Sequence, residues 1–330
     1  MDFTAFPKIE LHLHLDCSIS YKVAEALRPG LSRATFQDTF VAPPKCRDLA
    51  EFLSYAQAGI RLLQDERALR LVTLDLLEQL SAEQVLYAEI RFAPLLHTQA
   101  GLPAEVVMDA VTASLAEGQR QTGVKAGLIL CTLRSFSEAQ GLQTAALAQQ
   151  YREKGVVGFD IAGDEAGYPL SPHVAAFEAV HQAGLPATAH AGEARGASSV
   201  RQALEQLKVQ RIGHGVRSVE EAAVLELLKQ RQTHLEICPT SNIQTDIYGQ
   251  MPDHAVDWFY QQGFPLSINT DGRTLVGVSL AEEYQKLHRA FGWGATHFRQ
   301  CNLYALEAAF LPAEEKQVLA RAVERGYHSV

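Results

Sequence analysis

Polar and apolar positions first alternate in the run Lys8-Ile-Glu-Leu-His-Leu-His-Leu-Asp16, which reads as a β-strand. Residues two apart share a strand face, so His12 and His14 point the same way. The pair is either the polar face of an amphipathic strand or half of a metal site. Residues 20–27 then read as a short helix stopped by Pro29-Gly30, and the stretch to Lys45 has no period and reads as a loop. From Arg47 the spacing is helical, with Leu49, Phe52, Leu53 and Ala56 at i, i+3, i+4 and i+7 on one apolar face. A further helix is predicted over 66–80. This first connection is far longer than the others, as lid-forming elaborations are.

From Val85 onward short apolar strands alternate with amphipathic helices. Strands are predicted at 85–92, 126–132, 156–162, 186–190, 211–214, 234–238 and 264–270. Helices fall at 103–121, up to Gln150, and at 172–183, 198–208, 219–230 and 253–262, and more fill the chain to about Arg325. With the opening strand this makes an eightfold β/α alternation. It predicts an α/β fold, a (β/α)8 TIM barrel forming one domain over 1–330, with extra helices in the first connection and at the C-terminus. A doubly wound open sheet would carry a Gly-rich phosphate loop after its first strand, and Leu15-Asp-Cys-Ser18 stands there instead.

A barrel carries its chemistry at the C-terminal strand ends. There the chain offers His12, His14 and Asp16 on strand one, Gly163, Asp164 and Glu165 after strand four, and His190 with Glu193 on strand five. Strand six adds His214 and strand eight Asn269-Thr-Asp271. Several imidazoles and a carboxylate at one mouth would be costly to bury unpaired, and a divalent metal removes that cost. His12, His14, His190 and Asp271 are the expected ligands, a nitrogen and carboxylate set that suits zinc and also admits iron, cobalt or nickel. Glu193 and His214 are left for proton transfer. The fourth strand has no lysine at its end to bridge two ions, which favours one metal per chain.

Composition narrows the partner. A charge of −9 without clustered Lys or Arg argues against a nucleic-acid surface, and a small, neutral or weakly charged substrate fits better. No apolar run approaches the ~18 residues of a membrane span. The N-terminus shows no signal-peptide pattern. The five cysteines have no paired spacing, so a reducing, cytoplasmic setting is expected.

In order along the chain, His12-Leu-His-Leu-Asp16, Asp160-Ile-Ala-Gly-Asp-Glu165, His190-Ala-Gly-Glu193, Arg211-Ile-Gly-His-Gly215, Glu236-Ile-Cys-Pro239 and Asn269-Thr-Asp271 resemble the motifs of the adenosine deaminase family. This family belongs to the amidohydrolase-type barrels, and the likeness runs from about Pro7 to the C-terminus. It implies zinc-dependent hydrolytic deamination of adenosine or 2′-deoxyadenosine to the inosine product and ammonia. It implies zinc on His12, His14, His190 and Asp271, ring protonation by Glu193, and a water oriented and deprotonated by His214. Substrate contacts would come from His14, the Gly163 backbone N–H, Asp16 at the ribose and the helix carrying Leu49, Phe52 and Leu53 over the purine. Arg91 and Arg134 match family positions and are expected to hold carboxylates at the barrel rim.

Two positions depart from the family. Cys17 stands where many members have Gly after the strand-one Asp. Gly272 stands where many have a second Asp that contacts the five-membered ring of the purine. These leave other 6-aminopurines, such as aminodeoxyfutalosine or adenine, as alternative substrates. A metal-dependent amide or ester hydrolase on the same barrel, or a non-catalytic purine-binding protein, is a more distant alternative.

Overall fold

A computed structural model describes residues 2–328. Eight strands appear in the predicted order: β1 (Lys8–His14), β2 (Val85–Phe92), β3 (Lys125–Leu133), β4 (Val156–Ala162), β5 (Thr188–Ala191), β6 (Arg211–His214), β7 (His234–Ile237) and β8 (Leu266–Ile268). They pair in parallel as two sheets, β1-β2-β3-β4 and β5-β6-β7-β8. Isolated parallel bridges join the sheets at both seams, Phe159 with Ala187 and Leu13 with Asp271. At the second seam His14 N donates to Asp271 O at 2.6 Å and Asp271 N to His12 O at 3.0 Å. The result is the parallel (β/α)8 barrel, and it sets the end of β8 beside the end of β1.

The opening strand does not set its polar face against water. Ile9, Leu11 and Leu13 join the main hydrophobic core, while Glu10 and His12 are equally buried on the opposite face, toward the other strands. Each inward polar group has a partner there. Glu10 accepts from Thr270 N, and His12 Nδ1 meets Glu236 at 2.9 Å.

The first connection holds four helices, Tyr21–Leu27, Arg33–Phe40, Leu49–Leu62 and Glu66–Ala82. The second lies where a loop was expected. Its apolar positions are few, but Ser32 caps it by accepting from Thr35 N, and Phe36 stacks on Phe40 with ring centroids 5.2 Å apart. A short helix at Pro239–Gln244 was also not foreseen, because six residues carry too little period to read. The helix expected over 198–208 runs Ala197–Gln202 and then widens into a π-helical turn at Ala203–Leu207. Helices Leu280–Phe291, Ala295–Ala308 and Ala313–His328 complete the C-terminus, where Asn302 Oδ1 accepts from Ile9 N at 2.6 Å. No helix among the described residues is long and apolar enough to cross a membrane.

Candidate metal and catalytic site

The strand ends bring four groups together: the ligand atoms of His12, His190, His214 and Asp271 all lie within 4.8 Å of one another. His14 joins them, its Nε2 3.2 Å from His190 Nε2 and 3.4 Å from Asp271 Oδ1. His12 Nε2 is also 3.4 Å from Asp271 Oδ1. Two of these residues, His214 (φ 61°) and Asp271 (φ 64°), take the left-handed backbone conformation, a local cost of about 1–2 kcal/mol each.

The cluster fits a divalent cation. Ligand bonds of about 2.0–2.1 Å in a tetrahedron place neighbouring donor atoms about 3.3 Å apart, close to the His14–His190, His14–Asp271 and His12–Asp271 separations. His12 Nε2 is buried without a hydrogen-bond partner, an orphan that a cation would satisfy. Burial pushes His14 down to about 3 and lowers His190, so both are neutral imidazoles with a free lone pair. Asp271, against its burial, is held well below the usual carboxylate range by contact with His12 and by the other imidazoles. Burial and Arg91 push His12 down, yet Asp271 and Glu236 outweigh them and raise it. The site thus draws positive charge.

The supporting groups orient these rings. Glu236 on β7 meets His12 Nδ1 at 2.9 Å, and Asp160 on β4 meets His190 Nδ1 at 3.0 Å. Arg91 ties the two carboxylates together, Nη1 on Asp160 and Nη2 on Glu236, each at 2.7 Å. Ser241 Oγ donates to Asp271 Oδ2 at 2.7 Å. Each ring therefore turns its Nε2 to the cluster, the arrangement that metal-binding imidazoles adopt. Arg91 thus has the expected carboxylate partners, while Arg134 donates to His190 O at 3.0 Å and lies 4.0 Å from Glu165.

Glu193 stands beside the cluster, its Oε2 3.6 Å from His214 Nε2. Burial, reinforced by the charges of Asp271 and Glu165, holds its carboxyl well above the usual carboxylate range, which favours the protonated form. Burial, with His12 beside it, keeps His214 neutral. The loop bearing Glu193 is held by Glu165, which accepts from the N–H groups of Gly192, Glu193, Ala194 and Arg195 and from Ser199 Oγ.

A cavity of about 50 Å³ lies against the cluster, lined by His14, Cys17, Leu49, Phe52, Leu53, Gly163, Glu193, His214, Asp271 and others. It has room for only a few water molecules and is far smaller than a ligand pocket of about 300 Å³ or more. The helix Leu49–Leu62 roofs it with Leu49, Phe52 and Leu53, where the family resemblance implies a cover over the base. Outside lies a vestibule of about 560 Å³ that shares Leu49 and Glu193 with the inner cavity. A purine-sized ligand does not fit the inner space as it stands.

Two expected contacts are not brought to the inner cavity. Asp16 lies beneath the roof helix, its Oδ2 3.6 Å from the buried His97 Nε2, and Gly272 does not line the cavity either. Sequence reasoning missed the roles of Glu236, Asp160, Glu165 and Ser241. The first three stand in the strand-end motifs, and that position was the one available signal.

The family model described as adenosine deaminase matches residues 7–325. The chain is 36% identical to the adenosine deaminase of Haemophilus ducreyi over 97% of this chain and 96% of that one. It is 35% identical to the Enterococcus faecalis adenosine deaminase over 97% of both chains. Among solved structures, the adenine deaminase of Arthrobacter aurescens superposes with a TM-score of 0.89 at 27% identity, over 97% of this chain and 98% of that one. The Arabidopsis ADAL protein complexed with IMP gives 0.88 at 25% identity, over 100% and 99%. With these motifs at the strand ends of this barrel, the chain belongs to the adenosine deaminase family of metal-dependent hydrolases.

Proposed function

We propose that the protein, acting as one unit over 1–330 in the cytoplasm, deaminates adenosine or 2′-deoxyadenosine with one bound zinc ion. The observation that carries the reading is the buried carboxyl group of Glu193 in one cavity with a cluster of histidines and Asp271. His12, His14, His190 and Asp271 would hold the zinc, because His14 sits within 3.4 Å of two other ligands while His214 faces Glu193. When bound, zinc lowers the pKa of a water to about 7 and so supplies a nucleophile at neutral pH.

Glu193 gives its proton to the ring nitrogen beside the amino-bearing carbon, which makes that carbon more electrophilic. His214 holds the attacking oxygen, and the tetrahedral adduct loses ammonia. The Gly163 backbone lines the purine edge, Leu49, Phe52 and Leu53 cover the base, and Asp16 meets the ribose once the roof has moved. In the vestibule Arg47 and Arg217 are outnumbered by Asp48, Asp164, Glu220 and Asp246, which disfavours a phosphorylated substrate.

A second reading is supported by Cys17 and Gly272. Without a carboxylate at 272, the site has less to select one base or nucleoside, and another 6-aminopurine such as adenine is the alternative. The test is ammonia release from adenosine, 2′-deoxyadenosine, adenine, AMP and aminodeoxyfutalosine, with metal content measured on the same preparation. Turnover highest with the unphosphorylated nucleosides is expected, and no release from any 6-aminopurine ends the reading.

A further inference from the structure

Three hydrogen bonds behind His214 determine which of its nitrogens carries the proton. The backbone N–H of Val256 is a donor only, and it donates to His254 Nδ1 at 2.9 Å. That nitrogen therefore presents its lone pair, and the proton of His254 sits on Nε2. Nε2 lies 3.1 Å from the side-chain amide of Asn242, so the atom it meets is the acceptor Oδ1. The amide is thus oriented, and its Nδ2–H donates to His214 Nδ1 at 3.0 Å. With Nδ1 accepting, neutral His214 carries its proton on Nε2, the nitrogen that faces Glu193 and the cavity.

Nothing in the surroundings loosens this relay. Asn242, His254 and His214 are all buried. The Asn242 backbone is held on both sides, its N–H donating to Cys238 O at 3.0 Å and its carbonyl accepting from Ile247 N at 3.1 Å. The Tyr248 ring packs against His254 with centroids 4.5 Å apart. Water has no access with which to reverse the amide.

We propose that Asn242 and His254 are positioning residues that hold His214 as the Nε2–H tautomer, so that it meets the attacking oxygen as a hydrogen-bond donor. This rests on the deaminase reading, and it departs from the base role that the family resemblance implies for His214. A nitrogen that bears a proton does not take one from water. Glu193 protonates the ring nitrogen, its carboxylate then takes one water proton, and the second water proton leaves on the amine as ammonia. The new carbon–oxygen bond becomes the carbonyl, the carbon–nitrogen bond to the amine breaks, and Glu193 ends as it began.

The test uses zinc-loaded protein labelled with ¹⁵N-histidine, with the His214 signals assigned by their loss in His214→Asn. His214 is expected with an unprotonated Nδ1 and a protonated Nε2. Asn242→Asp puts an acceptor at Nδ1 and is expected to move the proton there, lowering kcat by about 10²-fold while KM and metal content hold. His254→Gln keeps a donor to Asn242 and is expected to retain both tautomer and kcat. A wild-type His214 protonated on Nδ1 overturns the proposal, as does folded, metal-loaded Asn242→Asp with wild-type kcat. If Asn242→Asp fails to fold, the wild-type spectrum still decides. The spectrum reads the tautomer without substrate, so failure of the deaminase reading shows separately, as absence of turnover.

Discussion

A Cβ added to Gly272 would lie 2.6 Å from the Cβ of Cys17 and 3.2 Å from its carbonyl oxygen, closer than real carbon atoms pack. Gly272 has φ −141°, open to any residue, so space excludes a side chain there and backbone strain does not. The two departures from the family pattern are therefore one exchange: the side chain at 17 occupies room that a residue at 272 would need. Gly272→Asp alone is expected to cost about 1–3 kcal/mol through overpacking and to lower the melting temperature, and Cys17→Gly in the same chain should restore most of it. Additive melting shifts in the double variant would show that the two positions are independent.

Glu193→Gln preserves the shape of the acid and removes its transferable proton. Metal content is expected to stay at the wild-type level while kcat falls by about 10²–10⁴-fold. Elemental analysis beside steady-state kinetics checks both halves, and near-normal turnover would assign the proton to another group.

The ligand set separates by metal retention. His14→Ala and Asp271→Ala are expected to lose most of the zinc, and His214→Ala to keep it. The opposite result, zinc held by His14→Ala and lost from His214→Ala, would make His214 the fourth ligand in place of His14.

Glu236 touches His12, Arg91, Arg211 and Thr188 where none of them meets water. Glu236→Gln leaves two guanidinium groups short of a counter-charge, and the expected loss is about 3–5 kcal/mol in chemical denaturation. Glu236 and Asp160 are both held low in the fold against their burial, Glu236 chiefly by Arg91 and Arg211, and Asp160 chiefly by His190 and Arg91. Their contribution is thus complete above the ordinary carboxylate pKa and is lost as pH falls below it. Wild-type stability that stayed flat down to pH 3 would contradict this.

Glu283 titrates in the opposite sense. It is buried, one oxygen accepts from Thr240 N at 3.0 Å, and the other has no partner. Burial pushes its carboxyl up to about 7. The unfolded chain releases that proton near pH 4.5, so the folded state loses stability as pH rises from there to about 7. Glu283→Gln is expected to stabilise the protein at pH 8, by up to about 3 kcal/mol, and to change little at pH 5. Melting curves at the two values check the sign.

Much of this molecule was legible from local pattern. Strands such as Val85–Phe92, Val156–Ala162 and Arg211–His214 fall where the apolar runs place them, because periodicity is a property of neighbouring residues. The helix at Arg33–Phe40 escaped because its cap and two phenylalanines supply less signal than an amphipathic stripe.

By itself the sequence determined the eightfold alternation and hence the barrel, the placement of His12, His14, His190, Glu193, His214 and Asp271 at strand ends, and the apolar helix face carrying Leu49, Phe52 and Leu53. Only the tertiary structure decided that Glu236 orients His12, that Asp160 orients His190, that Arg91 joins them, that Asn242 faces His214, and that Cys17 and Gly272 share one space. The reason is physical: each of these contacts joins residues from different strands or loops. Barrel closure and stagger select which side chains meet there, and no local period carries that information.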